Sequence, residues 1–253
     1  MKPSHGSYGK GNTMLKGIEQ GELIRGDGTR VPVADFCRSL AAAPGLGWIL
    51  QEALAPHRDI AELCGDRISG VRVHSFMTSK GPEVFRAIWK INVGTKDSDN
   101  FHHGASGNML ADIDVATGAV TRIVKGIGFD QEVGPIHPVT GMDLTAFRLP
   151  HWDEIKRVVS EAHHAYPGFM SPGWDVAICD EGPLLLEVNA FGDVDLTQHA
   201  ARRGFLDSEL LAYLSDRRVS RMLPSQRFPW VEVNKRATGE AACSGTGLGG
   251  DSH

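Results

Sequence analysis

Alternating apolar and polar positions run through the middle of the chain. Val71 to Thr78 and Val84 to Val93 read as strands. Met109 to Asp114 and Ala119 to Lys125 read as a hairpin that turns at Ala116-Thr117-Gly118. Trp48 to Leu54 reads as one more strand. The period lengthens at Pro150 to Ala165, where Trp152, Ile155, Val158, Val159 and Ala162 recur at helical spacing. Asp153 and Glu154 suit the first turn of that helix, and Pro167-Gly168 ends it. Two shorter helices are expected over Thr197 to Arg203 and Asp207 to Arg217. Hairpin strands with helices interspersed predict an α+β fold with a mainly antiparallel sheet.

The stretch from Gly173 to Asn189 carries the sharpest chemistry. It reads as two strands joined by a turn at Asp180-Glu181-Gly182-Pro183. Leu184 to Val188 is apolar except for Glu187, and a period of two puts Glu187 and Asn189 on one face. Asp175 on the preceding strand can reach the same place. A carboxylate within an apolar strand needs a cation or donor to meet it. Two carboxylates and an amide oxygen are hard ligands that suit Mg²⁺, with Mn²⁺ as a substitute. Arg72 lies inside a β run and needs an anionic partner. Arg86 and Lys90, four apart in a strand, share a face.

Composition narrows the field. With 253 residues and a formal net charge of −5, the chain has length for a core and no basic stripe for nucleic acid. No apolar run is long enough to span a membrane, and the first residues do not read as a signal peptide. The scattered Cys37, Cys64, Cys179 and Cys243 argue against a zinc site or disulfide framework and point to a reducing cytoplasm. The adjacent His102 and His103 would point opposite ways in extended chain and do not make a metal site. His163 and His164 are expected to be partly exposed on their helix.

The acidic residue followed a dozen positions later by Glu-x-Asn resembles the metal motif of the ATP-grasp superfamily. From Lys2 to about Asp207 the chain is similar to the sugar-transfer-associated, glutamate-ligase-like branch of it. The resemblance implies that Asp175, Glu187 and Asn189 hold metal on the phosphates of ATP, and that Arg72, Lys90 and Asn100 serve the transferred phosphoryl group. It implies nucleotide contacts from Lys2, from Ser7 and Gly9 in a Gly-rich flap over Gly6 to Gly11, and from the adenine-side segment Gln51, Glu52 and Leu54, with Asp59 toward the ribose. His137, in His-Pro-Val-Thr-Gly, is either a turn residue or part of an acceptor pocket. Gln198 fits a later position in the pattern, and Phe191-Gly192-Asp193 departs from the usual Pro-Gly.

Three activities fit this resemblance. The first is a carboxylate–amine ligase working through an acylphosphate, on an amino acid, a peptide or a cell-surface precursor. The second is a phosphotransferase with a hydroxyl acceptor. The third is a non-catalytic or partner-dependent fragment, because family members carry a further domain ahead of the Lys2 loop, which a partner chain would then supply. The expected organisation is a partial nucleotide-binding subdomain at 1–54, a metal-bearing subdomain at 55–234 and a disordered tail at 235–253.

Overall fold

The computed structural model describes residues 1–4, 11–42, 47–78, 80–94, 98–190, 192 and 194–215. Met1–Leu210 form one compact unit and Leu211–His253 a second, of which only 211–215 are described. The expected boundary after residue 54 falls inside the first unit, and the expected tail lies outside the described residues.

The chain opens with β1 (Lys2–Pro3), β2 (Leu15–Glu19), β3 (Glu22–Arg25), β4 (Arg30–Pro32), α1 (Val33–Ala42), β5 (Trp48–Ile49) and α2 (Arg58–Cys64). Strands β2, β3 and β4 form a small antiparallel sheet against which α1 packs, with Leu23 of β3 and Phe36 of α1 both buried. Gln20 and Gly21 link β2 to β3 with φ of 51° and 80°. Positive φ at both central residues matches the twist of a two-residue hairpin. β1 pairs with β5 alone and offers partners only to Trp48 and Ile49. The strand expected over Trp48 to Leu54 therefore stops at Ile49, and residues 50–54 run on without ladder bonds.

The main sheet follows as β6 (Val71–Thr78), β7 (Gly81–Ile91), β8 (Met109–Ile113), β9 (Val120–Lys125) and β10 (Glu132–Val133). After α3 (Trp152–Ala165) come β11 (Gly173–Cys179), β12 (Gly182–Asn189), α4 (Val194–Ala201) and α5 (Ser208–Ser215). The seven strands lie in the order β10-β9-β8-β7-β6-β11-β12, and every pairing is antiparallel. The α+β expectation holds, and the expected turn after β11 is tighter, with Gly182 and Pro183 already in β12.

Strand alternation sorts the core into two sides. Val71, Val73, Trp89, Ile91, Trp174 and Val176 pack with Ile155 and Val159 of α3. The opposite face presents Ile88, Leu110 and Val124 to Leu196 and Ala200 of α4. Contacts of α4 run to β7, β8 and β9. On that same face the β6, β11 and β12 positions are polar: Arg72, Asp175, Glu187 and Asn189.

Candidate active site

Register brings the polar residues together. Asp175 on β11 pairs with Arg72 of β6 on one side and Glu187 of β12 on the other. One step along, Gly173 pairs with His74 and with Asn189. A bulge between Asp175 and Val176 leaves Leu186 without a partner in β11, and Leu186 lines the neighbouring cleft. Bulges re-aim side chains in this way and bend the strand locally.

The Arg72 guanidinium closes on Asp175, with Nε 2.5 Å from Oδ1 and Nη2 2.9 Å from Oδ2. Both side chains are only 7% exposed. Lys90 Nζ lies 3.5 Å from Asp175 Oδ1 and 3.3 Å from Asp99 Oδ1. Burial works against the charge on Asp175, but the Lys90 ammonium and the Arg72 fork outweigh it and hold the carboxyl at about 2. Burial also opposes the charge of Lys90, and Asp99 and Asp175 overcome it, so its pKa is raised. Two cations and two carboxylates thus balance one another inside the sheet face.

Asp99 is a residue that the sequence patterns did not single out. Its Oδ2 accepts the Gly70 N–H at 2.9 Å while Oδ1 faces Lys90. A Cβ on residue 70 would sit 2.7 Å from Asp99 Oδ2, so a glycine is needed for this approach. The Asp99 loop is tied down by Asn108, whose Nδ2 donates to the Ser98 and Asn100 carbonyls at 3.0 Å each.

An open cleft of about 650 Å³ lies beside this cluster. Its walls include Lys2, Thr13, Leu50, Gln51, Glu52, Leu54, Asp99 and Leu186. The structure therefore gathers Lys2, Gln51, Glu52 and Leu54 around one space. Asp59 is not among the lining residues; it sits in the first turn of α2, with Oδ2 3.7 Å from His57 Nδ1. Asn100 is not a lining residue either, and its described bonds are made by its backbone to Ser98 and Asn108. Ser7 and Gly9 lie outside the described residues.

Arg86 belongs elsewhere. It bonds Asp207 at 2.5 Å and Glu209 at 2.9 Å, and stacks 3.8 Å over the Phe85 ring. The ladder from Arg86 to Trp89 is regular, so Arg86 shares the face of Lys90, and its acidic partners lie at the far end of that face.

Three histidines are structural. His137 is fully buried; its Nδ1 takes the Thr140 N–H at 3.2 Å, which leaves Nε2–H to donate to the Asn92 carbonyl at 3.2 Å. Through these bonds it organises the His-Pro-Val-Thr-Gly turn. His163 is fully buried, contrary to the expected partial exposure, whereas His164 is exposed. Trp174 Nε1 donates to Ser75 Oγ at 2.8 Å, Ser75 Oγ contacts His163 Nδ1 at 2.8 Å, and His163 Nε2 reaches the Phe169 carbonyl at 2.7 Å. His74 Nε2 lies 3.0 Å from Thr197 Oγ1. Burial, then the neighbouring Arg72, push its pKa down to about 3. Gln198 accepts the Phe205 N–H at 3.0 Å.

Among the described residues no three His, Cys, Asp or Glu side chains gather into a metal cage. The residues that could hold a cation here are Asp175, Glu187 and Asn189. Glu187 is exposed, and Asn189 Nδ2 lies 3.4 Å from Glu187 Oε1, so the pair stands open at the sheet edge. Two carboxylates and an amide fit Mg²⁺, which takes few protein ligands and keeps waters or phosphate oxygens for the rest.

The sequence model of a sugar-transfer associated ATP-grasp family matches residues 1–211. No curated protein and no solved structure matches the chain. Among the described residues no helix is long and apolar enough to cross a membrane.

Proposed function

Because the chain belongs to the sugar-transfer associated ATP-grasp family, with its ATP-dependent ligase-type chemistry, we propose that it is a carboxylate–amine ligase. An acceptor carboxylate oxygen attacks the γ-phosphorus of ATP and ADP leaves. An amine then attacks the acylphosphate carbon, phosphate leaves, and the amine gives up a proton to complete the amide.

One observation supports the reading most. Asp99 forms part of the cleft wall and also bonds Lys90, which reaches Asp175. A nucleotide lying along Gln51, Glu52 and Leu54 would therefore place its phosphates toward Lys90 and Arg72. Such transfer depends on positioning and on charge stabilisation, and needs no covalent nucleophile from the protein. Asp175, Glu187 and Asn189 are the residues that would hold Mg²⁺. When bound, that ion would neutralise charge on the β- and γ-phosphates. Arg72 offers a planar fork suited to phosphate oxygens. The substrates are then a small-molecule or peptide carboxylate and an amine.

The test is ATP turnover with pooled carboxylates and amines, with hydroxylamine added in parallel. ADP release with a hydroxamate supports an acylphosphate. ADP release with a phosphorylated hydroxyl product, and neither hydroxamate nor amide, would replace ligation by phosphotransfer.

A further inference from the structure

Amide formation strips protons from the amine, and the buried cluster has no group to take one. Arg72 and Lys90 are cations, and Asp99 and Asp175 are engaged with them. The loop after Asp99 holds an imidazole that can. His102 and His103 adopt φ of 49° and 52° in succession. Residues with a Cβ seldom sit there, and such strain persists only where the surroundings enforce it. Here the Gly104 N–H and Ser106 Oγ both donate to the Phe101 carbonyl, at 3.0 and 2.9 Å, and the Ala105 N–H donates to the His102 carbonyl at 3.1 Å. Gly104 lies so close to Gly126 that a Cβ would stand 3.1 Å from the Gly126 Cα.

The loop brings His103 to α4. Its Nδ1 stands 4.0 Å from Asp195 Oδ2, and its side chain is 75% exposed. Nε2, on the other side of the ring, has no protein partner among the described residues. His103 follows Asp99 by four residues, and Asp195 follows Asn189 by six. Helix α4 packs on the sheet face that also carries Arg72 and Asp175. The two side chains are therefore tethered to both arms of the site, one through the Lys90 partner and one through β12.

We propose that His103 is the proton acceptor for the amine, with Asp195 orienting its ring and facing the imidazolium that forms. This rests on the ligase reading above. The amine arrives as an ammonium ion, and His103 Nε2 takes one of its protons. The nitrogen lone pair so exposed forms the C–N bond. The bond from the acyl carbon to the phosphate oxygen breaks, phosphate leaves with that electron pair, and the second surplus proton of the nitrogen goes with it. Imidazole suits the task because it gains and loses a proton near neutral pH, and a carboxylate beside Nδ1–H favours the charged ring.

The experiment compares two nucleophiles at neutral pH on the full chain, on His103→Asn and on Asp195→Asn. Asparagine tolerates the left-handed backbone, so the first variant keeps the loop. Pooled amino acids with ATP and Mg²⁺ supply the carboxylate and the amine, and hydroxylamine replaces the amine in parallel. Hydroxylamine is uncharged at neutral pH and attacks acylphosphates unaided, whereas the amine must first lose a proton. In His103→Asn the ratio of amide to hydroxamate should fall about a hundredfold. In Asp195→Asn the ratio should fall by less. An unchanged ratio in His103→Asn overturns the proposal. Loss of both products together, which a purely structural loop would give, also overturns it. A wild-type chain that makes no amide, with or without hydroxamate, overturns the ligase reading itself, and the proton acceptor with it.

Discussion

Arg72 and Asp175 face each other across neighbouring antiparallel strands, and a two-point hydrogen bond between them is sealed inside the sheet face. A register slip of one residue in either strand would send its member of the pair to the α3 side, into an apolar core, and part the two. The pair thus depends on the ladder that holds it and in turn specifies that ladder's register.

Removing one partner should cost more than removing both. Arg72→Leu leaves the Asp175 charge with Lys90 alone and should destabilise the fold by about 3–5 kcal/mol. The double variant Arg72→Leu/Asp175→Leu should recover much of that loss. Urea unfolding of the two single variants and the double one closes the cycle, and a double variant as unstable as the sum of the singles contradicts the argument.

Acid should weaken the fold before the carboxylates titrate. His74 is held neutral, with a pKa lowered from 6.5 to about 3. The unfolded chain takes up this proton near pH 6.5 and the folded chain does not. Stability from His74 is therefore complete above 6.5 and declines as pH falls toward about 3. His163 is shifted in the same direction, chiefly by burial, and adds to the slope. His74→Gln should flatten the decline between pH 6.5 and 4 by up to one proton's worth. A slope unchanged from wild type would contradict it.

The Asp175 carboxylate behaves in the opposite manner to a buried acid without partners. Its pKa is lowered from 3.8 to about 2. Its contribution is present above 3.8 and is lost as pH falls through about 2. Asp175→Asn should remove this lowest part of the acid transition, read from unfolding free energies between pH 4 and 2, without altering the part above pH 5.

Gly70→Ala tests the Asp99 tether. The new methyl would meet Asp99 Oδ2 at 2.7 Å and the Val176 carbonyl oxygen at 3.3 Å. Asp99 must then leave Lys90, and one wall of the cleft moves with it. Nucleotide affinity should fall several-fold while the fold is destabilised by about 1–3 kcal/mol, as for a lost buried hydrogen bond to a charged group. Unchanged binding in the folded variant would show that the tether does not shape the cleft.

The other face of the sheet gives a contrasting expectation. Ser75→Ala leaves Trp174 Nε1 and His163 Nδ1 without their shared hydroxyl. This should cost about 1–3 kcal/mol in thermal or urea unfolding. Nucleotide binding should be unaffected, because Trp174 belongs to the α3-side core.

Much of the architecture was legible locally. Val71–Thr78 forms the strand expected from its alternation, with the same ends, and the expected helix over Pro150 to Ala165 starts two residues late at Trp152. The small sheet and α1 went unread, although Leu15 to Arg25 does carry a turn at Gln20-Gly21 between two short apolar alternations. That turn needs positive φ at Gln20, a conformation glutamine seldom announces. Helix α2, seven residues over Arg58–Cys64, is too short for a period to stand out.

By itself the sequence determined most strands of the main sheet, the turns that join them and the common face of Glu187 and Asn189. Alternation, turn chemistry and strand period act between residues close in the chain, and so can be read along it. Tertiary structure alone decided who meets whom. It gave Arg72 to Asp175 across 103 positions and Arg86 to Asp207 across 121, buried His163 beneath Ser75, and brought Asp99 to Lys90 at the edge of a cleft. Those outcomes rest on register, bulges and burial. They arise only when distant strands pair, because the energy of a buried charge is set by the partner that reaches it.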